Sequence, residues 1–202
     1  MLKRAEWSAG VKPKRVVKHP VTAAGGAVGL VVLHHSVTSA GPLERVLRAI
    51  ERYHINGEFY DIAYNYLVNE EGSAEGRGAL VQGGATGAGI DSKSLSICVL
   101  GDYETAGKDG VSTGLVDQIA ALLADLVGMG VLASDFELVP HSQYKATACC
   151  GKRLKAAIPA VMRLVAGATW AVTGATSGGV KPVSKKLSDA QKLAAIAAIL
   201  EG

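Results

Sequence analysis

Three side chains that commonly bind metal ions stand out in this sequence: His34, His141 and Cys149. Two imidazoles and one thiolate form a three-ligand set for zinc. Three protein ligands with water in the fourth position are typical of a catalytic zinc site, whereas structural sites usually have four protein ligands. His141 and Cys149 share one predicted loop, and His34 ends a predicted strand, which is a rigid position for a ligand. This spacing alone leaves a purely structural role equally open.

The elements that would position these side chains alternate between strand and helix. Short apolar and β-branched runs predict strands over residues 29–34, 64–68 and 95–100, and residues 131–139 lead into Pro140 and His141. Apolar residues at helical spacing predict helices over residues 42–53, 115–127 and 152–165. Pro159 could break or kink the last helix, and the Gly-rich residues 72–89 are expected to form turns. The alternation predicts an α/β fold, a single domain with a central mixed β-sheet flanked by helices.

The composition of the chain changes near residue 168. Residues 1–167 would form the domain, and residues 168–187, rich in Gly, Ser, Thr and Lys, are predicted to be a linker. Residues 188–202 are predicted to form a short helix with Ser188 as its N-cap. This helix could pack on the domain or mediate self-association, or it could target the protein to a cell wall or membrane surface.

Length and composition exclude several classes of protein. A chain of 202 residues with 49% hydrophobic residues can form a packed core and is not intrinsically disordered. Its net charge of +3 is too small for nucleic-acid binding dominated by phosphate contacts. Without a long apolar run or a signal peptide, we expect synthesis in the cytoplasm and no stable membrane insertion. Three cysteines fit a reducing compartment.

Five short motifs follow one another along about residues 4–165. They are Arg4-Ala5-Glu6-Trp7, Leu33-His34-His35-Ser36, Asp61-Ile62-Ala63-Tyr64-Asn65-Tyr66, Glu75-Gly76-Arg77-Gly78 and Thr147-Ala148-Cys149. In sequence, order and spacing the chain resembles the zinc-dependent N-acetylmuramoyl-L-alanine amidases of the peptidoglycan recognition protein and phage lysozyme-type family. The five motifs together are far more specific than any one of them.

The resemblance implies a Zn²⁺ cofactor held by His34, His141 and Cys149, with Tyr64 and Thr147 as catalytic residues. Tyr64 would orient the attacking water or donate a hydrogen bond to the tetrahedral oxyanion, and Thr147 would donate a second one. Four further residues are implied to bind the substrate: His35, Asn65, Arg77 and Thr86. The bond cleaved would be the amide between N-acetylmuramic acid and the L-alanine of the stem peptide.

Simpler interpretations apply to several of these residues. Tyr64 could be a half-buried aromatic residue of the sheet, and Thr147 could cap or turn its loop. Cys98 lies in an apolar strand and is interpreted as a small buried hydrophobic residue. Cys150 stands where the family usually has proline; it could be inert, compete as a ligand, or oxidise with Cys149. We favour the inert interpretation.

Three positions depart from the family pattern. Cys98 aligns with a glutamate of the bacterial anhydro-muropeptide amidases, so Tyr64 would have to do more of the catalytic work. Thr86 replaces the histidine of a Gly-Ala-His segment, and Ala79 replaces the tryptophan of a Gly-Trp pair. The last two changes leave substrate selectivity open.

The sequence therefore predicts a monomeric peptidoglycan hydrolase, an amidase of the phage endolysin type. It would remain in the host cytoplasm until a separate membrane pore releases it to the cell wall at lysis. The alternative is a non-catalytic peptidoglycan-binding module, but such family members typically lose the cysteine ligand that is present here as Cys149. A third possibility is an amidase that also regulates a partner enzyme. The basic residues 12–18 are where such a partner would bind, although a solvated loop is the simpler interpretation.

Overall fold

The computed structural model describes residues 1–8, 10–39 and 41–168 of the chain. The predicted C-terminal helix, and all of the predicted linker except its first residue, lie outside this part. Within these ranges, no helix has the length and apolar character needed to cross a membrane.

A five-stranded mixed sheet forms the centre of the fold, as predicted. Its strands are β1 (Val28–His35), β2 (Tyr66–Asn69), β3 (Gly72–Glu75), β4 (Leu95–Val99) and β5 (Leu132–Pro140). They lie in the order β3-β2-β4-β1-β5. β3 is antiparallel to β2, and the other neighbouring pairs are parallel. The carboxyl ends of four strands therefore meet at one edge of the sheet.

In the described ranges, six α-helices and one 3-10 helix flank this sheet. The α-helices are α1 (Arg4–Trp7), α2 (Pro20–Ala23), α3 (Leu43–Asn56), α4 (Ala88–Asp91), α5 (Thr113–Gly128) and α6 (Lys152–Gly167). The three long helices confirm the helical periodicity in the sequence. Pro159 lies inside α6 without ending it. Its position is exposed, so that water can reach the carbonyl group left without an intrahelical partner.

The Gly-rich residues 72–89 were expected to form turns, but their first four residues form β3. The Asn69 side chain accepts hydrogen bonds from the backbone N–H groups of Glu71 and Gly72, at 2.9 and 3.2 Å, and so closes the tight turn between β2 and β3. A run of small and polar residues such as Gly72–Glu75 has no apolar periodicity, and its strand conformation depends on pairing with β2.

The two faces of the sheet pack against different helices. Leu33 and Ile97 belong to the apolar cluster beneath α5 and α6, whereas Cys98 belongs to the cluster beneath α3. Because side chains alternate along a strand, His34 points to the α3 face, beside Cys98, its partner in the β1–β4 register. The alternation in β1 therefore decides on which face His34 is presented.

A buried ion cluster fastens the N-terminal segment to α3. The Arg4 guanidinium donates hydrogen bonds to both carboxylate oxygens of Asp61 and, at 2.9 Å, to Glu51. Both carboxylates are almost completely buried, with 3% and 1% of their surface exposed. Buried carboxylates that lose their cation carry an uncompensated charge, which costs much more free energy than an exposed ion pair contributes.

Replacing Arg4 with alanine is therefore expected to lower the free energy of unfolding by about 3–5 kcal/mol. Urea denaturation followed by circular dichroism measures this change. Lys3→Ala is the matched control, because Lys3 pairs with Glu75 at the surface and its loss should cost no more than about 1 kcal/mol. Equal, small losses for the two variants would contradict a structural role for the buried cluster.

Candidate metal centre

The sequence-predicted ligands His34, His141 and Cys149 lie together at one edge of the sheet. Their ligand atoms are all within 4.8 Å of one another, and they form the one such group found in the described ranges. The Cys149 Sγ is 3.7 Å from His34 Nδ1, and the His34 and His141 ring centroids are 4.4 Å apart. His141 and Cys149 are 107 and 115 positions away from His34 in the sequence, yet the three side chains converge on one point.

Parallel strands and a folded loop produce this convergence. Leu33 pairs with Pro140 in the β1–β5 register, so that the next residues, His34 and His141, lie side by side at the end of these strands. The loop after His141 then folds back, with Ser142 N–H donating to the Cys149 carbonyl at 2.8 Å. Gly151 follows this turn with φ +93°, and a Cβ there would lie 2.6 Å from a backbone atom of Tyr103.

The electrostatic surroundings keep both histidines neutral. Burial lowers the pKa of His34 well below its usual value, and the nearby His141 and His35 act in the same direction. Burial also lowers the pKa of His141, with a further contribution from Lys145. Neutral imidazole is the form that binds a metal ion. The two histidines are therefore ready to act as ligands without losing a proton first.

Burial raises the pKa of the Cys149 thiol to about 11, although the His35 N–H group, 3.4 Å from Sγ, partly opposes this effect. Without a cation, this thiol therefore keeps its proton at neutral pH. A bound metal ion deprotonates a coordinating thiol outright. Metal binding at this site is accordingly expected to release a proton.

The donor atoms fit a metal ion in one further respect. His141 Nε2 is buried and has no hydrogen-bond partner in the part of the chain that the structure describes. A buried polar atom without a partner is costly unless something binds it. Two neutral imidazoles, one of them with an unsatisfied ring nitrogen, and a thiol could together hold a metal ion at this edge of the sheet.

Tyr64 lies beside this cluster, as the sequence analysis expected. It lies two residues before β2, is half-buried, and packs against the apolar cluster beneath α3. Its ring centroid is 5.4 Å from that of His34 and 5.5 Å from that of His54. Burial raises the pKa of Tyr64 well above its usual value, and Cys98 and Cys149 act in the same direction. The phenol therefore remains protonated, and in this structure its hydroxyl group is hydrogen-bonded to the Cys98 thiol.

Thr147, the second expected catalytic residue, is exposed, and its Oγ1 accepts a hydrogen bond from Cys149 N–H at 3.3 Å. This hydrogen bond stabilises the turn in the loop that carries Cys149. Stabilising the loop is the simpler of the two roles considered for Thr147. Its exposure leaves the hydroxyl hydrogen free to point toward solvent. The placement is compatible with either role.

Two residues that we expected to bind substrate are used inside the protein instead. Asn65 is completely buried; its amide donates to the carbonyl groups of Gly78 and Val81, both at 2.8 Å, and accepts from Ser96 N–H. The Arg77 guanidinium donates to three backbone carbonyl groups, those of Asp61, Ile62 and Gln82. These placements correct the expectation, because both side chains hold loops together and offer little to a ligand.

The other two expected substrate-binding residues, His35 and Thr86, are also buried, with 6% of their surface exposed. His35 Nδ1 accepts a hydrogen bond from Tyr103 N–H at 3.2 Å. Thr86 Oγ1 lies 3.2 Å from Nε2 of His34. Both residues therefore lie against the candidate ligands, His35 through its N–H group on Cys149 Sγ and Thr86 through its hydroxyl group beside His34. Their role in binding substrate stays a prediction.

Neither of the remaining cysteines belongs to the donor group. All three thiols are free. Cys98 has no exposed surface and packs beneath α3, as interpreted from the sequence. Cys150 is 1% exposed and packs in the apolar cluster of the opposite face. Because Cys150 lies in this core, its placement agrees with the inert interpretation.

The sequence analysis missed His54, which lies behind Tyr64. It is 7% exposed, its Nδ1 accepts a hydrogen bond from Ala63 N–H at 3.1 Å, and its ring packs against Phe59 and Tyr64. Its position among apolar residues on the buried side of α3 was the available signal. Burial lowers the pKa of His54 to about 4, with a further contribution from Arg77.

This shift predicts a dependence of stability on pH. Between pH about 6.5 and about 4, His54 binds a proton in the unfolded chain but not in the folded protein. The free energy of unfolding that buried neutral His54 contributes is therefore fully present above pH about 6.5 and is lost as the pH falls toward about 4. In His54→Gln, we expect the slope of unfolding free energy against pH to decrease by up to about 1.4 kcal/mol per pH unit. Urea titrations across this range measure the slope, and an unchanged slope would contradict the prediction.

Comparison with known proteins agrees with this geometry. The family model described as N-acetylmuramoyl-L-alanine amidase matches residues 24–152. The chain is 30% identical to peptidoglycan-recognition protein SC1a/b of Drosophila simulans over 160 residues, 76% of this chain and 81% of that protein. It is 31% identical to protein SC2 of the same species over 140 residues, 66% and 73% of the two chains.

Solved structures show the same relationship. Drosophila peptidoglycan recognition protein LB superposes with a TM-score of 0.67 at 27% identity, over 78% of this chain and 91% of that one. Peptidoglycan recognition protein LE, solved in complex with tracheal cytotoxin, superposes with a TM-score of 0.67 at 28% identity, over 77% and 89% of the two chains. Since the family model matches more than half of the sequence, the chain belongs to the N-acetylmuramoyl-L-alanine amidase family.

Proposed function

We propose that this protein is a zinc-dependent amidase that cleaves bacterial peptidoglycan between N-acetylmuramic acid and the L-alanine of the stem peptide. The observation that carries the proposal is the convergence of His34, His141 and Cys149 with Tyr64 beside them. Three protein ligands leave the fourth position of a tetrahedral zinc ion open for water or substrate, which is the arrangement of catalytic zinc sites.

The separation of the donor atoms suits zinc. Zn–S and Zn–N bonds of about 2.3 and 2.0–2.1 Å at a tetrahedral angle place sulfur and nitrogen roughly 3.6 Å apart. The observed distance between Cys149 Sγ and His34 Nδ1 is 3.7 Å. When bound, the ion would lower the pKa of a water molecule to about 7 and polarise the amide carbonyl group.

The chain's own residues would supply orientation and hydrogen bonds. The protonated phenol of Tyr64 can donate to the oxygen that becomes negatively charged when the amide carbon turns tetrahedral. The His35 N–H group, which contacts Cys149 Sγ, would stabilise the thiolate form of this ligand. The Thr147 hydroxyl holds the Cys149 backbone, and its own hydrogen is available for a second bond to substrate.

A second candidate function is peptidoglycan recognition without catalysis. The named relatives are recognition proteins, and recognition protein LE was solved with tracheal cytotoxin, a monomeric diaminopimelic acid-type peptidoglycan. Both candidate functions therefore imply peptidoglycan as the ligand. The cysteine in the donor group and the adjacent Tyr64 favour catalysis, because binding alone requires neither.

Purified peptidoglycan distinguishes the two functions. The protein is stripped of metal with a chelator, reloaded with zinc, and assayed for the release of new N-terminal L-alanine. We expect release by the zinc-loaded protein, none from the metal-free protein, and recovery when zinc is added back. Sedimentation of the protein with peptidoglycan but no release of alanine in any state would establish the recognition function instead.

We also propose that the protein acts as a phage endolysin, which remains in the host cytoplasm until lysis. Three free thiols, one of them in the donor group, suit a reducing compartment. Expression inside Escherichia coli tests the proposal. Cultures should remain turbid until chloroform permeabilises the inner membrane and then clear rapidly. Clearing without chloroform would contradict the need for a separate membrane pore.

A further inference from the structure

A loop with two buried polar side chains, Thr86 and Asp91, approaches the candidate metal centre on the side of His34 away from Cys149. It consists of Thr86, Gly87 and the single turn of α4. The Asp91 carboxylate, 2% exposed, accepts hydrogen bonds from Thr86 N–H at 3.0 Å and from Gly87 N–H at 2.8 Å. Gly87 has φ +124°, a conformation that favours glycine. One carboxylate therefore holds the backbone on which the Thr86 side chain is mounted.

The Thr86 hydroxyl contacts one ring nitrogen of His34, while the other ring nitrogen faces the metal centre. Thr86 Oγ1 is 3.2 Å from Nε2, and Cys149 Sγ is 3.7 Å from Nδ1. Both His34 and Thr86 are buried, so water does not compete readily for this contact. A neutral imidazole that offers Nδ1 to a metal ion carries its proton on Nε2, and this proton needs an acceptor.

We propose that Thr86 is a positioning residue that holds His34 in the Nε2-protonated form, with Nδ1 directed at the metal ion. The hydroxyl oxygen accepts the Nε2 hydrogen, and Asp91 keeps the hydroxyl in place. This inference rests on the proposed zinc site. It also gives a role to the position at which the sequence departs from the Gly-Ala-His pattern of the family.

The described residues offer His34 Nε2 no hydrogen-bond partner besides Thr86 Oγ1. If the hydroxyl group were removed, the buried Nε2–H group would have no acceptor. A His34 ring with its proton on Nδ1, or a rotated ring, would then be lower in free energy. Either change takes the free electron pair away from the metal ion, and loss of such a supporting partner typically weakens metal binding about 10- to 100-fold.

The test compares Thr86→Val, which has nearly the same shape without a hydroxyl group, with Thr86→Ser, which keeps the hydroxyl. Zinc affinity is measured by competition with a chromophoric chelator, in the full-length protein and without substrate. We expect binding about 10- to 100-fold weaker in Thr86→Val and within about threefold of the wild type in Thr86→Ser. Thr22→Val is the matched control, because the Thr22 hydroxyl donates to the Ala79 carbonyl and not to a candidate ligand.

A second readout does not need the metal ion. The ¹⁵N chemical shifts of the His34 ring in the metal-free protein distinguish the two neutral forms. The proposal expects protonated Nε2 in the wild type and in Thr86→Ser, and a shift toward protonated Nδ1 in Thr86→Val. Wild-type zinc affinity in Thr86→Val, or protonated Nδ1 in the wild type, would overturn the proposal. A protein that binds zinc in this pattern but releases no alanine would refute the amidase activity and leave the role of Thr86 intact.

Discussion

Cys149→Ser is expected to abolish the release of L-alanine from peptidoglycan and to weaken zinc binding roughly 100- to 1,000-fold. A structural zinc site with four ligands contributes about 10–16 kcal/mol, so one ligand is worth roughly 2.5–4 kcal/mol. The serine hydroxyl is a much poorer zinc ligand than a thiolate, and only two histidines would remain. Zinc affinity by chelator competition and alanine release are measured on the same preparations.

Cys150→Ala is the matched control for this substitution. Cys150 is the next residue in the chain, but its side chain packs in the apolar cluster on the other face of the sheet. We expect this variant to keep its zinc affinity and activity while losing about 1–3 kcal/mol of stability from the truncated core side chain. Loss of zinc binding in Cys150→Ala would show that Cys150 competes as a ligand, which the geometry argues against.

Tyr64→Phe is expected to reduce kcat about 100- to 1,000-fold while zinc affinity stays within about threefold of the wild type. The substitution removes one hydroxyl group and keeps the ring that packs beside His34 and His54. A hydrogen-bond donor to a developing oxyanion typically contributes about 3–4 kcal/mol to the lowering of the barrier. Because this bond forms mainly in the transition state, kcat should change far more than KM.

Tyr66→Phe serves as the control for the loss of a phenol hydroxyl. Tyr66 is two residues further along the chain, is 3% exposed, and belongs to the cluster beneath α5 and α6. Its hydroxyl bonds to the backbone of Ala79. We expect a loss of stability with kcat unchanged. An unchanged kcat in Tyr64→Phe would mean that the phenol contributes only packing, as the simpler interpretation of this residue held.

Local pattern was sufficient to predict much of the fold. The strand ending at His34 and the helices α3, α5 and α6 have strong periodicity, and each occurs close to its predicted range. β3 has no such pattern and forms because it pairs with β2. Continuation of α6 through Pro159 likewise depends on the proline lying on the exposed side of the helix.

The candidate site, like the fold, was predictable from the sequence only in part. The ligand trio and Tyr64 could be proposed from residue types and motifs because metal binding and acid–base chemistry need particular side chains. The motifs did not show which of their polar residues face a ligand. Asn65 lies in the same motif as Tyr64, and Arg77 lies in the next motif along the chain; both look as available in the sequence as Tyr64. In the structure, however, Asn65 donates to the Gly78 carbonyl and Arg77 to the Ile62 and Gln82 carbonyls.

Residue types and short motifs were enough to infer the family, the α/β architecture and the three candidate metal ligands. The tertiary structure was needed to show that His34 Nδ1 lies 3.7 Å from Cys149 Sγ, that Thr86 Oγ1 lies 3.2 Å from His34 Nε2, and that Cys150 packs in the core. The physical reason is that residue types determine which chemistry is available. The partner of each polar atom depends on strand register and loop closure, which bring together residues that are far apart in the sequence.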